Sequence, residues 1–348
     1  MNDVVNEELK TITLDQLLPG DILGFKGDSR DPVSFLIMEL TGGSDVSHGA
    51  LFLQNKDNVL AESGGDGIHS RKMIEDLVSG REVYVLRHKD AGPNGVEPVV
   101  PIAKDYVLQD LPYPYSDLIL LGLILVFKKK ISKKWISRPV VEFLCLVAAE
   151  LKTIIEQQKT SGKHTMVCSS FVYQCYLDAS KEHPNLKLDV KDGDVGFKEH
   201  ALLGAKNASP SVSLFDLFDE YATTYGENFE NHFAANKALL KATKLRSKED
   251  ILADLKKQLL DKTNALPVLM GGELSIVVDI VRAIKDVIEA FTTFVKGEKP
   301  SFAEMMKIAR EQQALFVTPN DLVNHLTNVN KLGLAKVHCD NERYDQNL

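Results

Sequence analysis

Ser47-His48-Gly49-Ala50-Leu51-Phe52-Leu53 and Val167-Cys168-Ser169-Ser170-Phe171-Val172-Tyr173 decide how this chain is read. The first is an apolar run with a histidine near its start and reads as a strand. The second places a cysteine at the start of a helical pattern. A thiol at a helix N-terminus faces unpaired backbone N–H groups and the positive end of the macrodipole, which favour thiolate over thiol. An imidazole is the usual partner, because it takes the proton and later returns it to a leaving group. The pair points to a cysteine hydrolase or transferase.

The local settings separate His48 and Cys168 from residues of the same type. Ser47 and Gly49 are small and leave room beside the imidazole, and Ser169-Ser170 follow the thiol where the helix begins. Cys145 lies inside the apolar stretch Phe143-Leu144-Cys145-Leu146-Val147, Cys175 is two turns into its helix, and Cys339 is close to the polar end. These four cysteines form no CxxC pair and no zinc spacing. Cys168 and Cys175 on one helix lie roughly 10 Å apart at ~1.5 Å rise per residue, beyond disulfide reach. Reduced thiols in a reducing compartment are expected.

A base of this kind needs a third group to orient its ring. Glu62 is the candidate if 46–53 and 59–63 form a hairpin closed by Asn55-Lys56-Asp57. Ala50 then faces Glu62, and His48 shares a face with it as a diagonal neighbour. A two- or four-residue loop would put them on opposite faces, so Asp66 and His69 remain alternatives.

The 348 residues suffice for a sizeable core and two domains, or one domain with a large insertion. A net charge of -8 argues against nucleic acid as a partner. Leu17-Leu18-Pro19-Gly20-Asp21-Ile22-Leu23-Gly24-Phe25 sets a Pro-Gly turn before a strand. Further strands are expected at 46–53, 58–62, 67–70 and 82–87, giving a small, largely antiparallel sheet or barrel, with 90–101 as a loop. From about residue 117 helices dominate, so the fold class is α+β. The ten-residue apolar run 118–127, followed by Lys128, Lys129, Lys130, Lys133 and Lys134, is too short for a bilayer, which needs ~20 residues. It reads as a buried helix, with an interfacial membrane contact as the rival. A capping box at Ser247-Lys248-Glu249-Asp250 opens a helix carrying Ile251, Leu252, Leu255 and Leu259. Val277, Ile280, Val281, Ile284, Val287, Ile288, Phe291 and Val295 trace an amphipathic stripe. The polar, acidic start, Met1 to Glu8, carries no Sec-type signal, so a cytoplasmic site or export by another route is expected.

Together, Leu18-Pro19-Gly20-Asp21-Ile22-Leu23, Ser47-His48-Gly49-Ala50, Leu60-Ala61-Glu62-Ser63 with Gly67-Ile68, Pro114-Tyr115-Ser116-Asp117 and the Cys168 segment resemble the circularly permuted NlpC-type papain-like cysteine hydrolases, the YiiX/YebB group. In that group the histidine strand precedes the cysteine helix. Val317-Thr318-Pro319-Asn320-Asp321-Leu322 resembles a segment the family places soon after that helix, but here it arrives about 150 residues later. The resemblance implies a permuted papain-like core over 14–205 and 315–340, interrupted by a helical insertion at 206–314. It matches Cys168 to the nucleophile, His48 to the base and Glu62 to a third position that varies in residue type. It implies an acyl-enzyme thioester and no metal or cofactor, with the backbone N–H of Cys168 as an oxyanion donor. Tyr115 is a candidate second donor, with packing as its plainer reading.

Three functions compete. The resemblance favours an amidase or peptidase acting on peptide or isopeptide substrates such as cell-wall peptides. A lipid-directed thioesterase or acyltransferase would use the same pair, with 118–127 and 276–295 supplying an apolar acyl site. A non-enzymatic module would bind a protein through the insertion. A partner protein or a membrane surface could engage 118–134 or 206–314. The insertion's helices are expected to pack on the core and border the Cys168 cleft.

Overall fold

A computed structural model of the protein describes residues 9–64, 67–109, 117–128, 130–131, 137–158, 168–191, 212–225, 246–260 and 273–335. The chain is α+β. Its first part holds β1 (Thr11–Ile12), β2 (Ile22–Lys26), α1 (Pro32–Leu40), β3 (Val46–Gln54), β4 (Val59–Gly64), β5 (Gly67–Lys72), α2 (Ile74–Val78), β6 (Val83–His88) and α3 (Val99–Leu108). There follow α4 (Asp117–Leu123) with a π turn (Ile124–Lys128), β7 (Lys130–Ile131), α5 (Arg138–Gln158) and α6 (Cys168–Ala179). Then come β8 (Val212–Ser213), α7 (Leu214–Tyr225), α8 (Lys248–Leu260), α9 (Glu273–Lys296), α10 (Phe302–Leu315), a second π turn (Asp321–His325) and β9 (Val329–Ala335).

Seven strands form one sheet in the order β1-β9-β6-β2-β3-β4-β5. All neighbours are antiparallel except β1 and β9, which makes the sheet mixed. Alternation along the strands divides its residues between two faces. Ile22, Leu51, Ala61, Tyr84 and Leu86 pack with α3, with Phe171, Val172, Cys175 and Tyr176 of α6, and with Leu322 and Val323. Leu23, Phe25, Ala50, Phe52, Leu60, Val83 and Val85 pack on the other face with Leu17, Met73 and Leu77. The segment 90–101, expected as a loop, gives way at Val99 to α3, because Val99 and Val100 bury against the first face.

Pro19-Gly20-Asp21 is a structural turn. Gly20 adopts φ 89, where glycine avoids the steric penalty of a Cβ. Its N–H donates to Phe52 O at 2.7 Å, and Tyr176 Oη donates to its carbonyl at 2.6 Å, pinning α6 to β2. Asp21 is fully buried, accepts the Leu18 N–H and receives an Arg87 fork with both bonds at 2.7 Å. Burial nevertheless pushes its carboxyl above the usual carboxylate value, only partly offset by Arg87.

A third core is helical. Leu36, Ile37 and Leu40 of α1 pack with α4, α5, α7, α8, α9 and α10. Phe127 sits at its centre, with ring centroids 5.5, 5.8 and 6.1 Å from Phe215, Phe291 and Phe316. The helical body is therefore not confined to 206–314. It also takes α1, α4 and α5, which the expected boundaries assigned to the catalytic core. The apolar run supplies the reason: with no strand of the sheet to cover it, it buries against the later helices. Leu118–Phe127 is buried throughout and presents no surface to a membrane. Among the described residues no helix is long and apolar enough to cross a bilayer.

Candidate active site

The β3–β4 hairpin positions the histidine and the carboxylate. Its turn differs from the expected one. Gln54 pairs with Val59, so four residues, Asn55–Asn58, close the loop, and Asp57 and Asn58 adopt φ 62 and 49. A four-residue loop alone would send His48 and Glu62 to opposite faces. A register shift between Phe52 and Gln54 absorbs the extra residue and restores Ala50 opposite Glu62. His48 then donates from Nε2 to Glu62 Oε2 at 2.9 Å, with the imidazole ring 5.7 Å from the Phe25 ring. Nε2 is thereby committed to the carboxylate.

Glu62 is almost fully buried. The next strand supplies two further donors, since Glu62 lies opposite His69 and Leu60 opposite Arg71 in the β4–β5 register. His69 Nε2 stands 3.3 Å from Glu62 Oε1, and its Nδ1 donates to Gly67 O at 3.0 Å. Arg71 forks onto the carboxylate, Nε to Oε1 at 2.5 Å and Nη2 to Oε2 at 2.9 Å. Burial pushes the Glu62 carboxyl up, but the hydrogen bond and charge of His48, with His69 and Arg71, outweigh it and hold the group well below the carboxylate range. The hydrogen bond to Glu62 raises the His69 imidazole, against the effect of burial.

The cysteine helix approaches the same end of β3. Cys168 is the first residue of α6, which packs along β3 and β4. A Cβ on Gly49, the neighbour of His48, would lie 3.8 Å from Ser169 Cα, so the first turn of α6 rests on that glycine. Ser169 Oγ donates to Val317 O at 2.6 Å, which brings the Val317-Thr318-Pro319 segment against the helix start. Thr318 and Asp321 cap each other, Thr318 N–H to Oδ2 at 2.8 Å and Asp321 N–H to Oγ1 at 3.1 Å, a reciprocal box that explains the Thr-Pro-Asn-Asp spacing. Asp321 also accepts His325 Nδ1 at 2.7 Å. Leu322 and Val323 then press on the opposed pair Gly49 and Gly24, where added Cβ atoms would come within 2.8 and 2.2 Å of them.

Gly49 faces α6, so His48, one residue earlier on the strand, faces the opposite side with Phe25 and Glu62. The Cys168 side chain lies outside the described residues, as do Asp66, Tyr115 and Cys339. Burial keeps the two described thiols protonated, pushing Cys145 up to about 11 and Cys175 well above its ordinary value. Among the described residues no three His, Cys, Asp or Glu side chains converge as metal ligands.

Arg71 escaped the sequence reading because the strand was expected to end at Ser70. Carrying the hairpin register past Gly67 places Arg71 on the Glu62 face, which is the signal that could have found it. No protein-family model, curated protein or solved structure matches the chain.

Proposed function

We propose that the protein is a cysteine-dependent hydrolase of the permuted NlpC-type papain-like kind, cleaving amide bonds through a thioester on Cys168. One observation carries this reading. The half-buried His48–Glu62 hydrogen bond lies one residue along β3 from Gly49, the glycine on which the first turn of the helix headed by Cys168 rests. The imidazole takes the Cys168 proton, and the thiolate attacks the acyl carbon. The oxyanion collects charge beside the N–H groups of the helix terminus, and the imidazolium returns the proton to the leaving amine. Water, deprotonated by His48, then cleaves the thioester and frees the thiol. Glu62 holds the ring and stabilises its charged form.

The amide reading is preferred over an acyl-lipid one because of where the apolar segments go. The run 118–127 is spent inside the helical core with Ile284, Val287, Ile288 and Phe291 of α9. The test is to incubate the protein with a panel of peptide amides and fatty-acyl thioesters, quench in acid and map the adduct by mass spectrometry. A peptidyl adduct on Cys168, absent from Cys168→Ala, supports the proposal. A fatty-acyl adduct on Cys168 transfers the site to the lipid reading, and no Cys168 adduct with any member favours a binding module.

A further inference from the structure

We propose that Arg71 is a positioning residue of the His48–Glu62 pair: its guanidinium fork fixes the carboxylate plane, and its charge keeps the carboxylate's field on the imidazole partial. The proposal deepens the hydrolase reading and rests on it only for the consequence in turnover.

The geometry is a clamp closed on both sides. Arg71 reaches Glu62 through Nε and Nη2, so two parallel bonds set the carboxylate's rotation as well as its position. The third nitrogen, Nη1, donates to Asp76 Oδ2 of α2, and Asp76 also lies 3.5 Å from Arg81. The Arg71 and Arg81 guanidiniums stand 5.7 and 4.9 Å from the Phe25 ring, whose neighbour is the His48 ring. A free glutamate side chain loses rotamer entropy when ordered, and here the fork has already ordered it. Arginine suits this place because its fork matches a carboxylate, whereas lysine offers only a point charge.

The charge consequence follows from who faces whom. Around the His48–Glu62 pair are His69 and Arg71 of β5, with Asp76 of α2 on Arg71 and Arg81, before β6, on Asp76. Glu62 favours the imidazolium and Arg71 opposes it. Without Arg71 the carboxylate still holds both histidines, and its whole charge acts on them. The imidazole would then retain its proton to higher pH and serve more poorly as the base that deprotonates Cys168.

The experiment is a proton-detected NMR titration of the histidine ring resonances in the full chain, comparing wild type with Arg71→Gln and Arg71→Lys. Far-UV circular dichroism confirms folding of each. The expected result is a rise of about half a unit or more in the His48 pKa in Arg71→Gln, in the range a single nearby charge produces. In Arg71→Lys, which keeps the charge and loses the fork, the pKa stays near the wild-type value while turnover falls. An unchanged or lowered His48 pKa in folded Arg71→Gln overturns the proposal, as does full turnover in Arg71→Lys. Should the wild type show no Cys168-dependent turnover while the titration responds as expected, the hydrolase reading fails and the clamp on the pair stands.

Discussion

His69 presents both ring nitrogens to acceptors, Nδ1 to the Gly67 carbonyl and Nε2 to Glu62, an arrangement only the charged ring satisfies fully. Its folded-state pKa is raised, so its stabilising contribution is complete below the unfolded value and is lost as pH rises through the folded one. Glu62 is depressed, so its contribution is present above the unfolded carboxylate value and is lost as pH falls through the folded one. His69 should therefore titrate above about 6.5 by NMR, and Glu62→Gln should bring it back down. In the same variant turnover should drop about 10- to 100-fold, less than in Cys168→Ala and below the full 10²–10⁴ of acid–base catalysis. A Glu62→Gln enzyme as fast as wild type would remove the carboxylate from the mechanism. Asp21 belongs to the architecture: Asp21→Ala leaves the Arg87 fork without its carboxylate and should cost about 3–5 kcal/mol in urea unfolding, as removing one partner of a buried pair does.

At the scale of elements, the hairpin shows what alternation can and cannot tell. His48 and Glu62 sharing a face was legible from period-two patterning plus a loop guess. The bulge that makes a four-residue loop compatible with that face was not, since no residue in Phe52-Leu53-Gln54 signals it. The Val317–Leu322 segment was visible as a motif, but its partners were not, because Ser169 lies 148 residues away in sequence. The opposed glycines show why the motif matters. Gly49→Val should drive a side chain into Leu322 and the head of α6, so overpacking of about 1–3 kcal/mol is expected together with slower Cys168 alkylation. Labelling at the wild-type rate would mean that α6 does not depend on this contact for its place.

For the whole molecule, β9 enters the sheet between β1 and β6 only after the chain has built the helical body. The sequence showed an excursion of helices but placed its boundary at 206. Burial, which no local pattern reports, decides that α1, α4 and α5 belong to the same core as α7 to α10. Phe127→Ala should cost about 3–5 kcal/mol, because its ring joins the π turn, α7, α9 and Phe316. Joining residue 206 to 314 should yield insoluble protein, since α4 and α5 would lose their cover. A soluble, cooperatively folding deletion would show that the sheet is an independent unit.

The central claim is that His48 activates Cys168, and the most direct measurement is the alkylation rate of each cysteine against pH, read by peptide mapping of wild type and His48→Ala. The account predicts that Cys168 reacts first at neutral pH, well ahead of Cys145 and Cys175, and that His48→Ala slows it and moves its half-point toward the ordinary thiol value of about 8.5. Equal rates and half-points for Cys168 in the two proteins would contradict it.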